Sequence, residues 1–281
     1  LVMASDPDAD RVGAAVKNNE GEWVLLNGNQ TALMFVYYLI IRWKELGKIN
    51  GKEYIVKTIV TTETIKTIAE RNGVEMYDVY TGFKWIANVM RENEGKKNYI
   101  GGGEESYGFL CEDFVRDKDA VSACVILAEI AAWAKDQGLS LYQLLQKIYV
   151  EYGFSKEKGI SVVKKGKSGA EEIEAMMKKF RENPLTEIAG SKVTYFYDYS
   201  TLKGKDYAEN ETVTLDMPTT SNVLQYFTED NTKVSIRPSG TEPKIKFYCE
   251  VHSKVKSIDE LPEAEKAAEE KINQIKASLG I

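Results

Sequence analysis

The sequence is poor in cysteine and histidine: its 281 residues include three cysteines and one histidine. The cysteines, Cys111, Cys124 and Cys249, are widely spaced and odd in number. Neither a disulfide framework nor a C-x-x-C metal site can be formed from such a set. This usage fits a reducing compartment, so we expect a cytoplasmic protein.

The sequence also lacks a long apolar run and an excess of positive charge. Its longest apolar stretch, 120–134, contains Glu129 and is too short to cross a bilayer, and no signal-peptide pattern is present. The net charge is −6 and the pI is near 5.2, which argues against a general nucleic-acid binder. We therefore expect neither a membrane nor a nucleic-acid partner, and any anionic substrate must be bound by a local cluster of cations and backbone donors.

Three aspartates, Asp6, Asp8 and Asp10, stand at alternate positions directly after the apolar run 1–4. That run is typical of the end of a buried strand, and alternation in the loop that follows would point the carboxylates to one side. A hard divalent cation could collect their oxygens there, whereas without one the carboxylates would repel each other. The pattern predicts a metal site, with an ordinary solvated acidic turn as the alternative.

An EF-hand loop is excluded at this position. It would need glycine at its sixth position and glutamate at its twelfth, where Arg11 and Lys17 stand. The arginine indicates instead that the cation does not act alone, since a planar guanidinium binds a phosphate well. We therefore expect Arg11 to hold a phosphate that the metal also contacts.

Strands and helices alternate along the next part of the chain. Predicted strands over 54–60, 75–79 and 98–100 are separated by helical patterns, and a further helix is predicted over 120–135. Repeated βα units of this kind indicate a largely parallel sheet covered by helices. Ligands of such sheets bind beyond the carboxyl ends of the strands, where the loops discussed below lie.

The pattern changes near residue 153. The basic segment 164–169 is interpreted as a solvated turn, a helix is predicted over 170–181, and short strands dominate before a final helix over 264–277. This part is expected to be an α+β domain around an antiparallel sheet. The predicted fold class is therefore α/β, with a parallel-sheet βα domain followed by an α+β C-terminal domain.

The segment 237–243, Arg-Pro-Ser-Gly-Thr-Glu-Pro, lies between two predicted strands. Gly240 would let backbone N–H groups approach an anion, Ser239 and Thr241 offer hydroxyl donors, and Arg237 offers a charged fork. A plain hairpin loop rich in turn residues is the alternative. A Walker loop is excluded, because no G-x-x-x-x-G-K-[ST] pattern leads into a helix.

Three other loops carry polar groups that suit a sugar phosphate. The segment 104–106, Glu-Glu-Ser, could accept and donate hydrogen bonds to sugar hydroxyls, or could be a helix cap or solvated turn. Asp119 is a natural N-cap, while Arg116 and Lys118 are not needed for capping and could face an anion. The pair 81–82, Thr-Gly, could lend donors to the same cleft or simply form a turn.

Together these segments resemble the signature loops of the α-D-phosphohexomutases, the phosphoglucomutase/phosphomannomutase family. The segment 6–11, Asp-Pro-Asp-Ala-Asp-Arg, resembles the family's metal loop, and 103–108, Gly-Glu-Glu-Ser-Tyr-Gly, resembles its sugar-specificity loop. The segment 237–243 resembles its phosphate-binding loop, and 81–84 and 118–119 match further signatures. The motifs follow the family's order over the whole chain.

The resemblance implies a four-domain enzyme, of which this chain would hold only part. Residues 1–26 would end the metal-binding second domain, 27–152 would form the third domain with the sugar loop, and 153–281 the C-terminal phosphate-binding domain. In the family, a phosphoserine of the first domain gives its phosphoryl group to a hexose phosphate, converting glucose 1-phosphate to glucose 6-phosphate through the 1,6-bisphosphate. The expected partners are these hexose phosphates and the N-terminal domains of the same protein.

The resemblance also implies a role for each candidate residue. Asp6, Asp8 and Asp10 would bind Mg²⁺, and Arg11 and Lys118 would be the catalytic residues of this chain. The implied substrate-binding residues are Thr81, Gly82, Glu104, Ser106, Arg237, Ser239, Gly240 and Thr241.

One departure from the family pattern limits the expected activity. No Ser-His-Asn-like serine loop exists here, because the only histidine is His252, near the end of a predicted strand. The isolated chain is therefore expected to bind substrate without turning it over. Phosphomannomutase or phosphopentomutase activity, and a non-catalytic sugar-phosphate-binding protein, remain as alternatives.

Overall fold

The computed structural model describes residues 1–164, 166–240 and 242–281. The chain forms two compact units, one of residues 1–153 and 255–258, the other of residues 154–254 and 259–281. Each unit is described by itself below. In the described part of the chain, no helix is both long and apolar enough to cross a membrane.

The first unit contains two sheets and five helices. One sheet, β1-β2-β3, is antiparallel; the other has the order β5-β4-β6-β7, with β4 parallel to both of its neighbours and β7 antiparallel to β6. The predicted parallel sheet is thus confirmed. The elements are β1 (Val2–Ser5), β2 (Val12–Lys17), β3 (Trp23–Leu26), α1 (Gly28–Glu45), β4 (Glu53–Thr58), α2 (Thr64–Arg71), β5 (Glu75–Val79), α3 (Phe83–Asn93), β6 (Asn98–Gly103), β7 (Phe109–Cys111), α4 (Ala120–Asp136) and α5 (Leu141–Tyr152).

Helix α1 is the central helix of this unit. Asn27 and Gln30 form a capping box that starts it, and every residue from Thr31 to Ile40 is buried. A helix that is buried on all sides must have neighbours all round. It contacts β6 on the sheet and the helices α2, α4 and α5.

Helix α3 covers the opposite face of the four-stranded sheet. Its apolar residues recur at helical spacing and pack against aromatic and aliphatic side chains of the strands. This cluster comprises Tyr54, Val56, Val79, Phe83, Ile86, Met90, Tyr99 and Leu110. The sheet therefore has helices on both faces, and its loops lie at the ends of the strands.

Strand β6 extends three residues beyond its predicted end, through three consecutive glycines. A Cβ at Gly102 would lie 2.1 Å from the carbonyl oxygen of Val56, and one at Gly103 would lie 2.5 Å from that of Gly108. These close backbone approaches admit only glycine. The glycines therefore belong to the sheet, and the sugar loop begins only after Gly103.

In its described residues, the second unit contains one antiparallel sheet and two α-helices. The sheet has the order β12-β11-β10-β13-β14-β15-β8, with β9 paired to β10, so the predicted α+β unit with an antiparallel sheet is confirmed. Phe180 of α6 packs edge-on against Phe247 of β15, with ring centroids 6.3 Å apart. The elements are β8 (Phe154–Val163), α6 (Gly166–Glu182), β9 (Glu187–Ile188), β10 (Ser191–Asp198), β11 (Lys203–Asp206), β12 (Glu211–Thr214), β13 (Leu224–Thr228), β14 (Lys233–Pro238), β15 (Lys244–Ser253), a 3₁₀ turn (Ile258–Glu260) and α7 (Leu261–Leu279).

The structure corrects the sequence prediction at the start of this unit. Strand β8, which was not predicted, pairs with β15 from Phe154 to Val163, although its first half is rich in charge and shows no apolar alternation. Long-range pairing therefore overrides weak local propensity. Residues 166–169 of the predicted turn belong instead to α6, which begins at Gly166, and Lys165 lies outside the described residues.

Candidate functional site

The aspartate loop between β1 and β2 forms a tight turn. The N–H of Ala9 donates to the carbonyl of Asp6 (3.0 Å), and Ala9 itself has φ of 56°, in the left-handed region. The side chain of Asp6 folds back, and its Oδ1 accepts from the N–H groups of Asp10 (3.1 Å) and Arg11 (3.2 Å). Burial would raise the pKa of Asp6, but these hydrogen bonds and the Arg11 charge lower it overall.

The three carboxylates are consequently not gathered into a preformed metal site. Asp6 binds its own loop, Asp8 is exposed, and Asp10 is paired with a lysine. Within the described ranges, no group of three or more histidine, cysteine, aspartate or glutamate side chains is placed to hold a metal ion. Oδ1 of Asp10 is buried and accepts no hydrogen bond from the described residues, and Nε of Arg11 lies 3.6 Å from it.

Lys118 lies beside this loop at the start of α4. Its Nζ is 2.8 Å from Oδ2 of Asp10 and 3.2 Å from Asp117, and its side chain is 16% exposed. Burial lowers the pKa of Lys118, but the hydrogen bonds to Asp10 and Asp117 outweigh it and raise the pKa overall. Lys118 is therefore held as a cation.

The start of α4 fixes the position of both charges. Asp119 caps the helix, accepting from the N–H groups of Val121 (3.2 Å) and Ser122 (2.9 Å), as its sequence position indicated. The N–H of Ala120 donates to the carbonyl of Ala9 (3.1 Å). The aspartate loop thus sits at the positive end of a long helix, which favours negative charge there.

The sugar loop meets the same place at Gly108. A Cβ on Gly108 would lie 2.7 Å from Cδ of Lys118 and 3.6 Å from Oε2 of Glu104. The backbone also joins the two loops, because the N–H of Val12 donates to the carbonyl of Tyr107 (3.2 Å). The aspartate loop, Lys118 and the sugar loop therefore converge on Gly108.

Glu104 connects the sugar loop to the Thr81-Gly82 turn. It is 8% exposed, and its Oε1 accepts from the N–H of Gly82 at 2.7 Å. Gly82 has φ of 112°, which only glycine adopts without strain. One oxygen of Glu104 is therefore used to hold the turn that starts α3, while Thr81 and Ser106 are half-buried and make no side-chain hydrogen bond with the described residues.

Glu105 anchors the other side of the sugar loop. Its N–H donates to Oγ1 of Thr61 (3.2 Å), and its Oε2 accepts from Oγ1 of Thr58 (3.3 Å). A Cβ on Gly28 would lie 1.9 Å from the carbonyl oxygen of Glu105, so the start of α1 also touches this loop. The loop is therefore held through Glu104, through Glu105 and at the start of α1.

A buried charge cluster next to this loop was missed by sequence reasoning. Lys57, at the end of β4, is 1% exposed, and its Nζ lies 2.6 Å from Asp78 and 2.9 Å from Glu63. A buried lysine needs such partners. The available signal was a lysine inside an otherwise apolar strand, at the carboxyl end where ligands of parallel sheets bind.

Arg116, which the sequence analysis left available to an anion, pairs with a carboxylate in the structure. Its Nη2 lies 3.1 Å from Oε1 of Glu94, just after α3.

His252, the only histidine of the sequence, lies in a charge cluster of the second unit. Its Nε2 is 2.8 Å from Oε1 of Glu250 on the same strand, and Oε2 of Glu250 is 2.9 Å from Nζ of Lys233. The histidine thus belongs to a structural charge cluster of the second unit.

The candidate phosphate loop of the second unit follows β14. Its turn is fixed by the N–H of Ser239 donating to the carbonyl of Lys244 (2.8 Å) and by Oγ of Ser239 accepting from the N–H of Glu242 (3.3 Å). Gly240 is exposed, and a Cβ there would meet nothing within 4 Å. Thr241, also predicted to bind phosphate, lies outside the described residues.

Two cations stand side by side next to this loop. Arg237 of β14 is paired in register with Lys246 of β15, and neither makes an ion pair or a side-chain hydrogen bond with the described residues. The nearby Lys244 is instead paired with Glu242 at 3.0 Å. An exposed glycine turn beside two unpaired cations is a suitable anion site.

Comparison with known proteins gives a consistent result. The family model described as "Phosphoglucomutase/phosphomannomutase, alpha/beta/alpha domain III" matches residues 27–152, and the one described as "Phosphoglucomutase/phosphomannomutase, C-terminal domain" matches residues 161–268. A phosphoglucomutase of Staphylococcus aureus (strain MRSA252) is 38% identical over 88% of this chain and 44% of its own length. One of Staphylococcus haemolyticus (strain JCSC1435) is 34% identical over 90% of this chain and 45% of its own length.

Solved structures agree on the fold. The open form of parafusin from Paramecium, described as a phosphoglucomutase, has a TM-score of 0.60 at 18% identity and covers 99% of this chain and 46% of its own. A phosphoglucomutase/phosphomannomutase family protein from Burkholderia thailandensis has a TM-score of 0.58 at 17% identity, and the match covers 99% of this chain and 46% of that protein. The chain spans about half the length of the relatives that it matches. On these matches, it belongs to the phosphoglucomutase/phosphomannomutase family and corresponds to that family's domain III and C-terminal domain.

Proposed function

We propose that this chain forms the metal, sugar and phosphate sites of an α-D-phosphohexomutase that converts glucose 1-phosphate to glucose 6-phosphate through the 1,6-bisphosphate. The observation that supports this most is the convergence of the aspartate loop, Lys118 and the sugar loop on Gly108. A cation, carboxylates and sugar-binding loops in one place suit phosphoryl transfer to a sugar. That reaction depends mainly on positioning and charge stabilisation.

We propose that Asp6, Asp8 and Asp10 hold Mg²⁺. Their oxygens are the hard ligands that this ion prefers, and Asp10 has a buried oxygen with no hydrogen-bond partner among the described residues. Bound there, Mg²⁺ would neutralise charge on the phosphoryl group in transfer. Because the carboxylates are not preassembled, binding would require Asp6 to release its loop N–H groups, and a phosphate oxygen would have to complete the ligand set.

Lys118 and Arg11 would supply the remaining positive charge. Lys118 is held by Asp10 within the loop cluster, and Arg11 is half-exposed, with its Nε 3.6 Å from Asp10 and 3.9 Å from Asp6. Both cations would stabilise the negative charge of the transferring phosphoryl group. Glu104, through its second oxygen, and Ser106 would bind the sugar hydroxyls.

The loop at Arg237, Ser239 and Gly240 would bind the phosphate that is not transferred. Arg237 offers two parallel donors, and the space around Gly240 is open to an anion. Thr241 would add a hydroxyl, as the family resemblance implies.

A coupled assay on two proteins tests this function. The isolated 281-residue chain is expected to show no turnover of glucose 1-phosphate with Mg²⁺ and glucose 1,6-bisphosphate, because no nucleophile candidate was found in it. A longer protein that includes the family's phosphoserine domain should form glucose 6-phosphate. Turnover by the isolated chain would show that the nucleophile lies within these 281 residues and not in the phosphoserine domain. If the longer protein shows no mutase activity, a non-catalytic sugar-phosphate-binding protein is favoured.

A further inference from the structure

A cavity of about 420 Å³ opens on the outer side of α3, on the opposite side of that helix from the sheet. Four of its lining residues, Lys84, Ala87, Asn88 and Arg91, follow the spacing i, i+3, i+4 and i+7. Such residues share one face of a helix. The remaining wall is made by Glu94 and Arg116.

The shape of the cavity follows from its residue sizes. Ala87 is the smallest lining residue and leaves a depression between the longer side chains of the turns before and after it. Arg116 arrives from the segment before α4 and is held at the cavity by its ion pair with Glu94 (3.1 Å). Asn88 is oriented by donating to Oε1 of Glu92 (2.8 Å). The wall is therefore built by specific contacts and not only by mobile surface chains.

The charge of the cavity is unbalanced. Three cations line it against one carboxylate, and that carboxylate is paired with Arg116. Lys84 lies over the ring of Trp85, 5.0 Å from its centroid, and has no carboxylate partner among the described residues. Arg91 makes no ion pair with any residue that the structure describes. Two cations thus face the cavity uncompensated, on a chain whose net charge is −6.

We propose that this cavity is a second anion site, which takes a small phosphorylated molecule. Its volume lies in the range of small-ligand sites, about 300–1,000 Å³. Two guanidinium groups and an ammonium match the charge and hydrogen-bonding pattern of a phosphate dianion. None of these residues belongs to the loop at Arg237, so the inference stands independently of the proposed function.

The test is an NMR titration of the full 281-residue chain with inorganic phosphate, at constant ionic strength set with sodium chloride. Saturable shifts are expected at the α3 amides and at the side-chain N–H groups of Arg91 and Arg116. Arg91→Gln or Arg116→Gln should weaken the binding about tenfold to a hundredfold, as expected for the loss of one charge-assisted hydrogen bond. Repeating the titration with glucose 1,6-bisphosphate distinguishes free phosphate from a phosphorylated sugar as the preferred ligand.

Two controls separate this site from other sources of shift. Arg42→Gln removes a partly exposed arginine of α1 that pairs with Glu45, and it should leave the α3 shifts unchanged. Arg237→Gln should also leave them unchanged, whether or not the proposed phosphate loop binds. Shifts that do not saturate, or that persist at full strength in both Arg91→Gln and Arg116→Gln, would overturn the proposal.

Discussion

Glu53 provides a direct test of how the first unit is stabilised. It opens β4, the strand between β5 and β6, and is 2% exposed. Its Oε2 accepts from the N–H groups of residues 50, 51 and 52, at 2.7, 3.0 and 3.1 Å, and its Oε1 accepts from the amide of Asn98 at 3.1 Å. One carboxylate therefore ties the turn before β4 to the start of β6.

Glu53→Gln should lower the free energy of unfolding of this unit by about 3 kcal/mol. The change replaces one acceptor oxygen by an NH₂ group and removes the charge that strengthens the other bonds. A hydrogen bond to a charged group contributes about 1.5–3 kcal/mol, and a buried donor without a partner costs about 1–3 kcal/mol. Partial relaxation of the turn keeps the total below the sum of four such bonds.

Urea unfolding followed by tryptophan fluorescence measures this change, because the four tryptophans lie within the first unit, at Trp23, Trp43, Trp85 and Trp133. With a slope of about 2 kcal/mol/M, the midpoint should fall by about 1.5 M. Glu70→Gln is the matched control. Glu70 is exposed on α2, 3.9 Å from Lys66, and should shift the midpoint by less than about 0.25 M.

The pH dependence gives a second reading of the same carboxylate. Burial raises the pKa of Glu53, but hydrogen bonds from Asn50, Asn98 and Gly51 outweigh it and lower the pKa overall. A lowered folded pKa stabilises the protein above the unfolded pKa, near 4.3, and this stabilisation is lost as the pH falls through the folded value. The difference in urea midpoint between wild type and Glu53→Gln should have its full size at pH 7 and become smaller below about pH 4. Equal midpoints at pH 7 would refute the reasoning.

Three further predictions concern the proposed sites. In the longer protein, Asp8→Asn should reduce mutase activity about a hundredfold without unfolding the protein, since charge stabilisation by the metal is worth several kcal/mol. If the variant keeps full activity and still requires Mg²⁺, the assignment of Asp8 as a metal ligand is wrong. Arg237→Lys should weaken phosphate binding without abolishing it, because lysine keeps the positive charge but lacks the two parallel N–H donors of the guanidinium. If phosphate causes no NMR shifts at residues 237–240 of the wild-type chain, this loop is not the phosphate site. Gly108→Ala should displace Lys118 and lower mutase activity about tenfold to a hundredfold. Gly159→Ala is the control and should have no effect, because a Cβ there meets nothing within 4 Å. Full activity of Gly108→Ala would show that catalysis does not depend on the position of Lys118.

Features that depend on neighbours in sequence were predictable from the sequence alone. The N-cap at Asp119 was predicted and is confirmed, because its side chain accepts from N–H groups only two or three residues away. The alternation of strands and helices also predicted the parallel sheet, since hydrophobic period reflects burial directly. The motif segments were likewise recognisable in sequence, because each consists of consecutive residues.

Tertiary structure alone decided how those segments are used. The turn inside the aspartate loop depends on the left-handed backbone of Ala9, which the alternation of aspartates does not reveal. Other contacts join residues far apart in the chain: Lys118 pairs with Asp10, and the N–H of Gly82 donates to Glu104. Strand β8 likewise exists through its ladder to β15, a distant segment of the chain. Burial and charge partners of this kind arise only when distant segments pack together, so the sequence determined which groups are available and the fold determined which of them remain free for a ligand.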